Sequence, residues 1–145
     1  MSYTYYKKRR LTCHVGKDKV MEEIKFVEFS NNVTVVNTTP HPVTIQSPEG
    51  ELVSVPTSVL INASSTEEAV DDLLVKTLFL PTEEGKAIIA EIESQYSGTG
   101  RLIIIGSMIA AQAYPGKVMG MIAVPGYERV APAEKRMRCD KFTTF

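Results

Sequence analysis

The amino-acid sequence predicts an α/β (α+β) domain: a mixed sheet with an antiparallel, hairpin-rich N-terminal half and one C-terminal βαβ unit. Three observations lead to this prediction. Short runs rich in β-branched residues, separated by proline and glycine turns, fill the first half. A capped helical pattern follows, and then four consecutive large aliphatic residues precede a short helical segment and another apolar run. A chain of 145 residues is long enough to bury one core.

The clearest strand signals lie between residues 33 and 56. Residues 33–37 alternate and are rich in β-branched side chains, which is typical of a strand. Residues 43–46 and 52–56 are two short apolar runs, and the segment between them contains the turn residues Pro48 and Gly50. These two runs therefore predict a β-hairpin.

The remaining segments of the first half have weaker signals. Residues 11–15 and 59–64 are each predicted to form a short strand. Residues 64–72 are acidic and are predicted to form a loop or a single helical turn, and residues 73–80 form a strand that Pro81 ends. The apolar residues of segment 20–29 fit both a helical face and a strand, so the sequence does not decide between helix and strand there.

The second half predicts helices and parallel strands. Thr82 is a good N-cap because two glutamates follow it, and the helix that it begins presents one apolar face formed by Ile88, Ile89 and Ile92. Residues 102–105 are four large aliphatics, a pattern that suits a central strand covered on both faces. A short helix at residues 108–114 and a strand at residues 117–126 then predict a parallel pair with a right-handed crossover.

The distribution of charge divides the chain into three parts. We expect a flexible basic arm at residues 1–10, a single globular domain at residues 11–126 and a basic C-terminal tail at residues 127–145. The net charge is only −1, but residues 49–93 are strongly acidic while both ends are basic. The basic ends of one subunit are complementary to the acidic middle of another, which predicts a homo-oligomer, and a solvated charged surface is the alternative.

The apolar runs, cysteines and histidines of the sequence also indicate the cellular compartment and the kinds of site to expect. No apolar run approaches the roughly 20 residues of a membrane span, and no apolar stretch follows the first basic cluster, so we expect a cytoplasmic, intracellular protein without membrane contact. Cys13 and Cys139 have no C-x-x-C spacing and are expected to be free thiols. His14 and His41 are too far apart to suggest a metal site, so no metal and no cofactor is expected.

Two polar segments follow predicted strands, where ligands of α/β sheets bind. If the strands at 33–37 and 102–105 are parallel neighbours, these segments meet in one pocket. Backbone N–H groups after Gly106 and the Ser107 hydroxyl are then able to hold an anion, although a tight turn and an N-cap need the same residues. The candidate ligand-binding residues are Asn37, Thr38, Thr39, His41, Gly106, Ser107 and Gln112.

His41 is the candidate catalytic residue, as a general acid or base. Prolines flank it on both sides, and we favour the interpretation that this segment is a structural corner first and a ligand contact second. Cys13 and His14 are strand neighbours that point to opposite faces, and they cannot form a nucleophile–base pair. The nucleotide-binding signatures with glycine-rich loops are not present. Basic clusters with nearby aromatic residues raise nucleic acid as a partner, but the net charge argues against it as the main role.

From Val33 to about Gly126, the chain resembles a family of small proteins encoded in tailed-phage and prophage genomes. That family has the motif N-L-T-P-H before a small or proline residue and a β-branched one, which stands here as residues 37–43 with Thr38 in place of leucine. Its second motif is a hydrophobic strand ending in serine, an alanine-bearing helix and a proline, here residues 103–115. The resemblance implies a viral origin and emphasises the same two segments, but it implies no activity.

Three functional hypotheses remain open. The first is a non-catalytic, homo-oligomeric protein that binds a small anionic or nucleotide-like ligand between the Asn37–His41 corner and Gly106-Ser107. The second is a structural or assembly protein without a ligand, which associates through its basic ends and acidic middle. The third is a hydrolase or transferase that uses His41.

Overall fold

A computed structural model describes residues 5–10 and 23–145. The strands are β1 (Tyr5–Arg10), β2 (Glu23–Glu28), β3 (Val33–Asn37), β4 (Val43–Gln46), β5 (Leu52–Val55), β6 (Ala63–Ala69), β7 (Val75–Pro81), β8 (Arg101–Ile105), β9 (Val118–Ala123) and β10 (Met137–Thr143). The helices are α1 (Glu83–Gln95), α2 (Met108–Ala113) and a short 3-10 helix (Pro132–Glu134). The predictions for residues 11–15, including Cys13 and His14, fall outside the described residues.

The predicted class, a mixed α/β sheet, is confirmed. Eight strands form one sheet in the order β1-β2-β3-β8-β9-β10-β4-β5, and β6 and β7 form a separate two-stranded sheet. β3, β8 and β9 are parallel neighbours, with α2 between β8 and β9 in the chain. β4 and β5 are antiparallel. A bridge between Asn37 and Thr57 brings the chain after β5 back to the end of β3, so the sheet is nearly closed.

The sheet buries side chains on both faces, and each face has its own core. Alternation along β3 sends Val35 to one face and Val36 to the other, and β8 divides Ile103 from Ile104 in the same way. The inner core, enclosed by the curled sheet, consists of Val27, Phe29, Val35, Ile45, Val55, Ile103, Ile105 and Cys139. The helix-side core lies between the sheet and α1 and α2, and it includes Ile24, Phe26, Val36, Ile88, Ile89, Ile92 and Ile104.

The helices begin where the sequence predicts. The Thr82 hydroxyl accepts a hydrogen bond from the Gly85 N–H and caps α1, and the three predicted isoleucines of α1 are buried. The Ser107 hydroxyl caps α2 by accepting from the Ala110 N–H. Neither α1 nor α2 has the length and apolar character that a membrane-spanning helix needs.

Three local predictions need correction or completion. Residues 20–29, which fitted two patterns, contain strand β2. The acidic segment 64–72 is not a loop or helical turn for most of its length, because β6 occupies Ala63–Ala69. Residues 59–62, predicted as strand, belong to no strand, although Val59 and Ile61 are buried in the helix-side core. The alternating apolar residues of this segment reflect burial and not strand pairing. The exposed strand β6 has no buried apolar pattern, so the spacing of apolar residues does not predict it.

Both basic ends contain strands. Within residues 1–10, Tyr5–Arg10 form β1, which runs antiparallel to β2 at one edge of the sheet. Within residues 127–145, β10 lies between β9 and β4 and pairs with both. The sheet order therefore makes the C-terminal segment an interior part of the domain, because β10 joins β4 and β5 to the rest of the sheet.

Candidate functional site

The two polar segments singled out in the sequence are adjacent in the structure. β3 and β8 are parallel with Asn37 opposite Ile105, so both segments leave the sheet at the same edge. The backbone N–H and the hydroxyl of Thr38 both donate to the Ile105 carbonyl, at 2.9 and 2.7 Å. The Gly106 backbone lies close to the Thr38 side chain, because a Cβ on residue 106 would be 3.1 Å from the Thr38 hydroxyl oxygen.

Asn37 organises the corner. Its side chain is fully buried, and its amide nitrogen donates to the carbonyls of His41 at 2.9 Å and Val55 at 3.0 Å. Its amide oxygen accepts from the Thr39 N–H at 2.8 Å and the Thr39 hydroxyl at 2.6 Å. The same hydroxyl also contacts the His41 carbonyl at 2.8 Å. These bonds use the polar atoms of the corner internally and join β3, β5 and the Pro40–Pro42 turn.

The remaining predicted residues stay on the surface. The residues His41, Ser107 and Gln112 are exposed, and His41 contributes its backbone carbonyl to the corner. Within the described residues, the structure shows no hydrogen bond to the His41 imidazole and no hydrogen bond between Gln112 and the corner. Ser107 uses its hydroxyl to cap α2. Structural roles thus account for Asn37, Thr38, Thr39 and Ser107, and a catalytic role for His41 stays a prediction.

A second feature, which the sequence did not single out, is the hairpin of β6 and β7. Every residue from 64 to 77 is exposed. Among residues 24–145, six of the ten exposed large hydrophobic residues fall between positions 60 and 80: Leu60, Val70, Leu73, Leu74, Val75 and Leu80. Leu73 is 91% exposed. Soluble proteins rarely present so many apolar side chains on one segment unless it meets a partner.

The hairpin tip has a defined conformation. The Asp71 carboxylate accepts hydrogen bonds from the N–H groups of Leu73 and Leu74, both at 2.8 Å. The Val70 N–H donates to the Leu74 carbonyl at 2.9 Å and closes the turn. The structure thus presents the Leu73 side chain and the neighbouring Asp72 on a short, hydrogen-bonded turn.

Tyr114 fixes the base of the hairpin. This buried residue donates its hydroxyl proton to the Asn62 carbonyl at 2.7 Å, just before β6. The same oxygen accepts from the Thr82 N–H at 3.0 Å, just after β7. Gly85 leaves room for the ring, since a Cβ there would lie 1.8 Å from the Tyr114 oxygen. Both strands are therefore held at one point between α1 and α2, and Ala63 and Phe79 pack on the helix-side core.

A third feature is a surface cleft lined in part by residues of β4 and β5, which we call the basic cleft. The residues that line it include Leu52, Tyr127, Ala133, Glu134, Lys135 and Arg136. The Arg136 guanidinium carbon lies 4.2 Å from the centre of the Tyr127 ring, and its Nη1 donates to the Gln46 side-chain oxygen at 3.3 Å. Its Nε is buried and has no acceptor among the described residues.

The charges around this cleft are unequally paired. Arg138 forms a two-contact ion pair with Asp140, at 2.9 and 3.1 Å, and this contact lowers the pKa of the Asp140 carboxyl. In contrast, neither Lys135 nor Arg136 has a carboxylate partner within the described part of the chain. Arg136 is also only partly exposed, so its charge is less screened by solvent than a surface charge.

Cys139 lies beside the cleft but faces the inner core. Its thiol is free and buried, and burial raises its pKa. Among the residues that the structure describes, no group of three or more His, Cys, Asp or Glu side chains is arranged to hold a metal ion.

Sequence reasoning missed the hairpin and the cleft for different reasons. The hairpin had a signal, the apolar run LLV beside DD, but that run is interpreted from the sequence only as the start of a strand. The cleft had none, because Gln46 and Arg136 are ninety positions apart in sequence. Comparisons with protein-family models, curated proteins and solved structures found no match to this chain.

Proposed function

We propose that the protein is a non-catalytic assembly protein that forms homo-oligomers through the β6–β7 hairpin. The observation that carries this proposal is the set of exposed apolar residues on the hairpin, with Leu73 91% exposed at its tip. Seven residue pairs join β6 to β7, so the ribbon extends over roughly 20 Å. An isolated two-stranded ribbon is marginally stable in water, and a partner surface would bury its apolar side chains.

The choice of a second copy as partner rests on charge. Residues 63–81 contain Glu67, Glu68, Asp71 and Asp72 against Lys76, a net charge of −3. Residues 127–145 contain five basic residues and three acidic ones, a net charge of +2, and residues 7–10 add four basic residues. Complementary potentials of this kind orient partners and speed their association.

The fold supplies the frame for this contact. In this proposal, the antiparallel strands of the first half and the unit of β8, α2 and β9 form the domain that carries the hairpin. The antiparallel register of β4 with β5 and the parallel register of β8 with β9 support this description. The proposal includes a viral origin, as the resemblance implies.

Point substitutions test the assembly role better than truncation, because removing residues 129–145 would delete β10. The test variant is Leu73→Ser with Leu74→Ser, and the control is Met108→Ser with Ile109→Ser, at two neighbouring positions of α2 that are 46% and 47% exposed. Sedimentation velocity gives the mass of each. We expect an oligomeric wild type and control, and a monomeric hairpin variant.

Two results would overturn the proposal. A wild-type protein that sediments as a monomer at every accessible concentration has no assembly to explain. A hairpin variant that keeps the wild-type mass would show that the exposed leucines are not part of the interface. Circular dichroism of each variant verifies that the domain remains folded, which the surface position of these leucines predicts.

Binding of a small anionic ligand is the second candidate, and the basic cleft favours it over the Asn37–His41 corner. Arg136 has unused hydrogen-bonding capacity and no carboxylate partner among the described residues, whereas the corner is internally bonded. Calorimetric titration with inorganic phosphate and with acetate tests this function, with Arg136→Gln as the variant. Equal and negligible heats for wild type and variant would contradict it.

A further inference from the structure

We propose that the tip of the β6–β7 hairpin docks into the basic cleft of a neighbouring copy, with Asp72 against Arg136 and Leu73 against the apolar part of the cleft. This inference rests on the proposed assembly function and names the two surfaces that meet. Within one chain the tip does not reach its own cleft, because Leu73 is 91% exposed.

The tip offers an apolar group next to a carboxylate. One carboxylate oxygen of Asp71 stabilises the turn by accepting hydrogen bonds from two backbone N–H groups. Asp72 has no ion pair within the described residues and is exposed. Because Asp71 already fixes the turn, docking requires little further ordering of the tip, and preorganisation of this kind favours binding.

The cleft offers the complementary pair of features. The Arg136 guanidinium is held between the Tyr127 ring and the Gln46 side chain, so its orientation is set before any partner arrives. The Gln46 side-chain oxygen accepts from only one N–H group of Arg136, whereas an arginine side chain has five N–H donors. Leu52, Ala133 and the Tyr127 ring supply the apolar surface for a leucine side chain.

The nearby charges make the proposal specific. Lys135 lines the same cleft and adds a positive charge, whereas Glu134 lines it with a negative one. Arg138 already forms an ion pair with Asp140, so we expect it to attract a second carboxylate less strongly than Arg136 does. We therefore expect Glu134→Gln to strengthen assembly, since it removes a carboxylate that repels Asp72.

The contact joins two different surfaces of the same chain. Such a heterologous contact gives a ring when it closes and a filament when it does not, while two copies that exchange tips give a dimer. Each arrangement contains the same tip-and-cleft pair, so exchanging the charges tests all of them.

The experiment exchanges the two charges in the full chain, with Asp72→Arg and Arg136→Glu made singly and together. Each single variant brings like charges together, and we expect its assembly to weaken at least about tenfold. The double variant restores complementary pairs in every arrangement, because each tip then meets a cleft of opposite charge. We expect the double variant to assemble within about threefold of wild type. The control is Glu93→Arg, a charge reversal at an exposed residue of α1 that pairs with Lys117 and belongs to neither the hairpin nor the cleft.

The outcomes separate this inference from the assembly function. Loss in both single variants with recovery in the double variant supports the docking. Loss without recovery, or an Arg136→Glu variant that assembles normally, overturns the docking but leaves the hairpin as the interface if the Leu73→Ser, Leu74→Ser variant is monomeric. A monomeric wild type overturns both. If Arg136→Glu does not fold, Lys135→Glu takes its place, because Lys135 is exposed and its side chain makes no hydrogen bond or ion pair among the described residues.

Discussion

Replacing Asn37 tests the structural account of the polar corner. Asn37→Ala removes two hydrogen bonds donated to backbone carbonyls and two accepted from Thr39. At a net value of about 0.5–1.5 kcal/mol each, the four bonds predict a loss of roughly 2–6 kcal/mol in the free energy of unfolding. For a domain of this size that corresponds to about 6–18 °C in Tm, taking about 3 °C per kcal/mol.

Urea unfolding followed by circular dichroism measures this loss. Asn62→Ala is the matched control, because the Asn62 residue is exposed and only its backbone carbonyl takes part in a described hydrogen bond. We expect the control to stay within about 0.5 kcal/mol of wild type. If Asn37→Ala unfolds within that same margin, the four bonds do not stabilise the corner, and the structural explanation of the motif is wrong.

A second variant, Asn37→Asp, refines the same test through pH. A carboxylate there would face the carbonyls of His41 and Val55, which the amide nitrogen contacts in the wild type. Burial and the two carbonyl dipoles would raise the folded-state pKa above the ordinary value of about 3.9. The unfolded state then loses its proton first as pH rises, so we expect this variant to lose stability, relative to wild type, as pH increases above about 4. A pH-independent difference would contradict this.

Three further predictions concern the hairpin and the core. Tyr114→Phe should lower the free energy of unfolding by about 1–3 kcal/mol and speed hydrogen exchange in β6 and β7 more than in α1, because both ends of the hairpin lose their shared partner. Gly106→Ala should destabilise the domain by about 1–3 kcal/mol, since its Cβ would lie 2.6 Å from Val118 Cγ1; unchanged urea unfolding would contradict this. In a Cys13→Ser background, the Cys139 thiol should react slowly with a disulfide reagent until urea unfolds the protein, and because its pKa is raised, stability should fall as pH rises above about 8.5.

Local signals predicted those elements whose side chains pack on the core. Thr82 and the three isoleucines of α1 could be read directly, because a cap and an apolar face are both short-range features of a helix. The strand at residues 33–37 and the aliphatic run of β8 were equally clear, since burial on both faces of the sheet selects β-branched residues. The adjacency of the Asn37 and Gly106 segments was conditional on parallel pairing, and that pairing is present.

The surface ribbon and the cleft could not be predicted for physical reasons. β6 consists of small, polar and acidic residues, and exposure removes the burial pattern by which strands are recognised. The cleft arises from tertiary contacts between Gln46, Tyr127 and Arg136, and no local rule brings these positions together. The polar corner was located correctly, but a sequence does not reveal whether Asn37 directs its amide to a ligand or to the backbone.

The place of β10 in the sheet has a consequence for synthesis of the chain. β10 is synthesised after β4 and β9, yet it pairs with β9 on one side and β4 on the other. Until it is added, β4 and β9 present unpaired strand edges that favour aggregation. We infer that a nascent chain cannot complete its sheet before residue 143 emerges, so a premature stop before Met137 would yield an aggregation-prone fragment rather than a shorter working protein.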